Sequence, residues 1–211
     1  MKSRRDAAPV SVWCGNYRFG RDDSFFPRVV TVARKYVDKE PEQRPPEDRF
    51  RREMEILRGI APRDGGALLD QLEHRWEHPL CSAALYVMTC TLRAPDRGAL
   101  VAPGDHVVQE LLCTKVGQAR RSVAARIALY RTQVLGGVRI AKGSQNLRVV
   151  IYGDGCTMLL EREVKEVAGN IGLRAQVVDE AGVRRYVGSE AYVGVEMIDA
   201  ICSLARQRER T

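Results

Sequence analysis

The clearest apolar pattern in the chain lies over residues 47–60. Phe50, Met54 and Leu57 recur at three- and four-residue spacing, Pro45 and Pro46 precede them, acidic residues open the segment, and Gly59 stands near its end. Side chains three and four apart stack on one side of a helix, so this spacing predicts an amphipathic helix from Glu47 to Ile60. A second helix is predicted over Ala67–Glu77, with Leu68, Leu69, Leu72 and Trp76 as its stripe and Pro79 as its stop. Leu80–Leu92 is apolar and dense in Ala, Cys and Thr, and periodicity alone does not separate helix from strand there. Ala94–Gly104, with two prolines and two glycines, reads as a loop and a domain boundary.

Beyond that loop the pattern alternates. Val107–Thr114 reads as a buried strand and Gln118–Leu135 as a helix with Val123, Ile127, Tyr130 and Val134 on one face. Leu147–Tyr152 reads as a strand, Thr157–Asn170 as a helix closed by Gly172, Leu173–Val178 and Ala191–Val195 as strands, and Glu196–Gln207 as a final helix. Strands alternating with helices imply an α/β domain with a largely buried sheet. The first forty residues mix aromatics with charges and show no period before Val29–Val37, a short helix at most. Three prolines make Glu40–Pro46 a linker. The expected organisation is an extended segment and linker over 1–46, a helical extension over 47–104 and an α/β domain over 105–211.

Composition adds little to the fold but narrows the chemistry. The 211 residues are 45% hydrophobic, enough for one sizeable core. No apolar run reaches the ~18 residues of a membrane span, and no secretory signal is evident, so no membrane partner is expected. Lys2, Arg4 and Arg5 suit a mitochondrial address, whereas Asp6 and the alternative of an ordinary basic tail oppose it. The six cysteines, Cys14, Cys81, Cys90, Cys113, Cys156 and Cys202, form no C-x-x-C pair. They read as small core residues in a reducing compartment rather than as zinc ligands. His74 and His78 stand at metal-binding helical spacing but lack a third ligand, so neither metal nor cofactor is expected.

Charge points to a partner. The net charge is +7, and arginine outnumbers lysine 28 to 6. Guanidinium forks match phosphates and stack on bases, although a GC-rich genome also raises arginine. More telling is the absence of any acid between Glu110 and Asp154, an interval that holds Lys115, Arg120, Arg121, Arg126, Arg131, Arg139, Lys142 and Arg148. Such a one-sign stretch concentrates positive potential and favours a polyanion, unless acids from elsewhere balance it in space.

Leu111–Leu129, reading LLCTKVGQARRSVAARIAL, resembles the opening of the archaeal and eukaryotic peptidyl-tRNA hydrolase family (Pth2), of the form V-V-R-x-D-L-x-M-x-x-G-K-x-A-A-Q-x-x-H. Further on, Gly172-Leu173, Glu180-Ala181-Gly182 and Gly188-Ser189 fall in the order of that family's later landmarks, so the resemblance covers about residues 105–207. It implies a three-layer α/β/α sandwich with a mixed four-stranded sheet, preceded by a mainly helical extension. The family's functional positions are replaced. Its early aspartate falls on Lys115, its glycine on Arg121, the basic residue implicated in its catalysis on Ser122, its glutamine on Arg126 and its histidine on Leu129. Only Glu180, for aspartate, is conservative. Ester hydrolysis needs a water-activating group and oxyanion stabilisation at fixed positions, and Leu129 supplies neither. The resemblance therefore implies a pseudoenzyme that keeps an affinity for RNA, ribosomal RNA foremost. Its expected setting is a ribonucleoprotein such as the mitochondrial ribosome in the matrix, otherwise the cytoplasm, with residues 1–104 holding neighbouring proteins. A hydrolase with an altered site around Ser122 and Glu180, and an adaptor that binds only proteins, are the alternatives.

Overall fold

A computed structural model describes residues 11–19, 23–79, 82–130, 138–141, 145–154, 157–187, 191–193 and 197–209. The protein is mixed α/β. Its described residues form helices α1 (Phe25–Val32), α2 (Glu47–Ile60), α3 (Gly66–Glu77), α4 (Val123–Tyr130), α5 (Thr157–Ile171) and α6 (Met197–Glu209). The strands are β1 (Ser11–Phe19), β2 (Ser82–Arg93), β3 (Gly98–Val101), β4 (Val107–Val108), β5 (Glu110–Ala119), β6 (Arg139–Ile140), β7 (Gln145–Asp154), β8 (Gln176–Asp179), β9 (Arg184–Tyr186) and β10 (Ala191–Val193).

The main sheet runs β1-β7-β2-β5-β10, with β6 beside the end of β2. A second sheet runs β4-β3-β8-β9, and the pairings in both are antiparallel. The ambiguous run 80–92 is thus the strand at the centre of the main sheet. Alternation explains its composition. Ala84, Tyr86, Met88 and Cys90 face one core together with residues of α1–α4, whereas Leu85 and Val87 face a second core with Val164, Ala168 and Ile201 of α5 and α6. A strand covered by helices on both faces has no polar side, so its sequence carries no period.

This topology corrects several expectations. In place of a mixed four-stranded sheet there are two antiparallel sheets. The division at 104/105 cuts through the main sheet, because β2 lies between β5 and β7 and β1 pairs with β7. The segment before residue 105 is therefore not a helical appendage; it supplies two strands of that sheet as well as three helices. Within the expected loop 94–104 lies β3, which zips onto β8 with Leu100 fully buried. The helix expected from Gln118 begins at Val123, since β5 continues to Ala119.

Residues 11–19 and 23–38, without a period in sequence before Val29, are folded by particular contacts. Asp23 starts α1, its Oδ1 accepting from the Phe25 and Phe26 N–H groups at 3.0 and 3.1 Å, while the Tyr17 hydroxyl donates to its other oxygen. Phe25, Phe26, Val29, Val30 and Val32 are buried. A π-helical turn, Ala33–Val37, follows, with the Asp38 N–H donating to Ala33 O at 2.9 Å. Tyr36 at its heart packs on Phe50, which stacks on Trp76 at 4.4 Å between ring centroids. These three rings hold the π-helical turn, α2 and α3 together; such pairs contribute ~0.5–1.5 kcal/mol beyond the area they bury. No described helix is long and apolar enough to cross a membrane.

Candidate nucleic-acid interface

Where β5 ends and α4 begins, the backbone leaves unpaired N–H groups that an α-helix cannot satisfy itself. The N-terminal half of the chain supplies what they need. Asp38 Oδ1 accepts from the Ser122 N–H at 2.9 Å, and Gln71 Oε1 accepts from the Val123 N–H at 3.1 Å. Ser122 Oγ accepts from the Ala125 N–H at 3.1 Å and donates to Asp38 Oδ2 at 3.3 Å. Gln71 Nε2 also donates to Arg121 O at 3.3 Å. Ser122 is therefore the N-cap of α4.

Beside this junction opens a cleft of about 630 Å3, lined by Arg34, Asp38, Gln118, Arg120, Arg121, Ser122, Arg126 and Leu129 among others. Four guanidinium groups face one carboxylate. Asp38 is turned into the protein, toward Ser122, and burial pushes its carboxyl above the usual aspartate range despite the Ser122 bonds and the nearby Arg121 charge. Arg121 Nη1 donates to Asp38 O at 2.7 Å and its other nitrogen lies 3.7 Å from Glu40. Arg34 and Arg120 have no hydrogen bond or ion pair within the described structure. Charged groups left unpaired at a concave surface are what a polyanion site presents.

Four of the sequence candidates thus converge: Arg120, Arg121 and Arg126, all exposed, and Ser122. Leu129 joins them at the rim, 37% exposed. The others disperse. Lys115 is completely buried in β5, opposite Met88 and Ala191, so it is removed from the phosphate-contact set. Arg139 is exposed but sits beside Arg93, at the far end of β2 from the Ala84–Ala119 pair that adjoins the cleft. At ~3.3 Å per residue, that is roughly 30 Å away. Arg148 is half-buried, with an Nε that is enclosed and unpartnered. Arg131 and Lys142 lie outside the described residues. The acid-free stretch is one run in sequence but several places in space.

Glu180 is also elsewhere. It stands in the turn between β8 and β9, 3.9 Å from Arg97, and is not part of the cleft lining. The pocket expected to join Ser122 with Glu180 does not form. Asp38 does stand next to Ser122, but the serine is 1% exposed and its oxygen is already committed to the helix cap. Among the described residues no cluster of His, Cys, Asp and Glu could hold a metal. His74 and His78 lie 4.7 Å apart, with His78 as the residue that ends α3. Cys90 and Cys113 are fully buried across the β2–β5 pair, and burial pushes the Cys90 thiol up to about 12.

Sequence reading missed Arg34. The buried positions Val30, Ala33 and Val37 leave it on the polar face of its helix, which was legible. That this face would meet α4 depends on the Asp38–Ser122 contact, eighty-four residues apart, which no local pattern encodes. Comparison of the chain with family models, curated proteins and solved structures finds no match.

Proposed function

We propose that the protein is a non-catalytic, RNA-associated component of a ribonucleoprotein, and that the arginine cleft at the start of α4 is its RNA contact. The observation that carries this reading is the cleft itself, with Arg34 and Arg120 unpaired and Arg121 and Arg126 beside them. Phosphate oxygens satisfy such groups, and each phosphate neutralised releases counterions.

The resemblance to the Pth2 family enters the same reading. Four of the six positions at which that family's pattern is replaced, Arg121, Ser122, Arg126 and Leu129, line one cleft, whereas Lys115 and Glu180 do not; the four support a shared site with altered chemistry. On this view the domain is a Pth2-like sandwich that has taken β1 and β2 into its sheet. Ester hydrolysis at Ser122 is the weaker alternative, because its hydroxyl serves as a helix cap and Leu129 stands at the rim. A ribosomal setting, mitochondrial in the first instance, follows by analogy with other degenerate RNA-enzyme domains.

The test is binding of a labelled structured RNA to the wild type and to the double variant Arg34→Glu, Arg120→Glu. Neither side chain has a partner among the described residues, so the fold is expected to survive reversal. Loss of two phosphate contacts weakens binding at least tenfold at moderate salt; an unchanged affinity would sink the proposal. Recovery of ribosomal RNA and ribosomal proteins with the tagged protein from fractionated native cells tests the setting.

A further inference from the structure

On the second sheet, away from the arginine cleft, a smaller cleft of about 280 Å3 is lined by Leu173, Arg174, Gln176, Arg184 and Tyr186, with the loop 101–105 across from them. Its volume is just below the ~300 Å3 at which sites for drug-sized ligands begin. It admits one planar group rather than a helix or a duplex. Three observations bear on what that group is.

First, Tyr186 is 57% exposed, unusual for a large ring at a strand position, and the Arg174 guanidinium lies over it at 4.7 Å from the centroid. Arg174 makes no ion pair within the described structure, so the ring is its one partner. Leu173 beside it is 66% exposed. Second, alternation along β9 puts Arg184 and Tyr186 on one face and Arg185 on the other, where it pairs with Asp179. Gln176 stands directly opposite Tyr186 in the β8–β9 register, so its amide shares that face. Third, Gly104 and Asp105 both have left-handed backbones, φ 78° and 62°. Aspartate adopts this conformation more readily than most residues other than glycine. Here it points the Asp105 carboxylate at Arg184 Nη1, 2.5 Å away, fixing the arginine at the rim.

We infer that this face of the second sheet is a stacking site for one base of single-stranded RNA, seated on the Tyr186–Arg174 pair, with Gln176 at the base edge and Arg184 toward the backbone. Aromatic rings and guanidinium planes are the surfaces on which unpaired bases stack, and every base has a face to offer, so the site is tolerant of sequence. A half-buried amide at the edge adds a modest preference. The inference rests on the reading that the partner is RNA, but on different residues from the arginine cleft.

The experiment uses the full chain, a labelled short oligouridylate and a labelled RNA hairpin with a minimal loop. Wild type, Tyr186→Ala, Arg174→Ala, Tyr186→Phe and the Arg34→Glu, Arg120→Glu double variant are titrated with each probe. Loss of one stacked base corresponds to roughly a 5- to 150-fold weakening for the oligouridylate. We expect that loss in Tyr186→Ala, a smaller one in Arg174→Ala, wild-type binding in Tyr186→Phe, and unchanged hairpin binding in all three. Ultraviolet crosslinking of the oligouridylate to the peptide holding Tyr186 is the second readout. If Tyr186→Ala binds the oligouridylate like wild type while the cleft variant loses the hairpin, the stacking site is refuted and the RNA reading stands. If wild type binds neither probe, both are refuted.

Discussion

Asp38 shows how much one side chain decides at this junction. Its carboxylate receives two donors of Ser122 and, with Gln71, ties the N-terminal half of the chain to the first turn of α4. Burial is the largest influence on it and raises its pKa above the ordinary aspartate value of 3.8. The folded chain therefore keeps this proton to higher pH than the unfolded chain. A raised pKa contributes stability that is fully present below the ordinary value and is lost as the pH climbs through the raised one. Asp38→Asn retains an acceptor for the Ser122 N–H and does not titrate. Urea midpoints of the variant are expected to fall less than those of wild type as the pH rises from acid toward neutral. Parallel midpoints over that range would show that the carboxyl is not perturbed.

The elements divide by whether their cause is local. Helix α2 was legible to its end residues because proline, acids and the Phe50–Met54–Leu57 stripe all lie within it, and the later alternation of strands and helices was legible for the same reason. Strand β2 was not, because burial of both faces erases the period that distinguishes a strand. Strand β1 was missed because its sequence mixes aromatics and charges, and only pairing with β7 makes it regular. At the site, Arg120, Arg121 and Arg126 were found through charge, whereas Lys115 was misplaced because a charge run says nothing about which face of a strand is inward. One contact tests the β2–β5 pairing. A Cβ on Gly117 would lie 2.2 Å from the Tyr86 hydroxyl and 2.4 Å from its ring carbon. Gly117→Ala is expected to destabilise the fold by ~1–3 kcal/mol in chemical denaturation, as overpacking of a filled core does. Removing only the hydroxyl, with Tyr86→Phe, should not restore it, since the ring still collides; full recovery in that double variant would show that the ring swings aside.

Across the whole molecule the charge is +7, and two clefts with no lining residue in common hold part of it. The salt dependence of RNA binding measures how many phosphates that charge meets. Reversing Arg34 and Arg120 should make the plot of log affinity against log salt shallower by roughly 1.4–1.8, at ~0.7–0.9 per phosphate contact. A slope equal to that of wild type would mean that these arginines meet no phosphate. The order of the strands has a further consequence, for the life of the chain before it is finished. Among the described residues β1 is made first and pairs only with β7, more than a hundred residues later, and β2 also needs β7 on one flank. At ~5–20 residues per second, the ribosome leaves the β1 edge without its partner for roughly 6–27 seconds. For that interval the strand that pairs with Trp13 and Tyr17 has not been made. Sheltering by a chaperone until the closing strand emerges is the demand this topology makes on the cell that produces it.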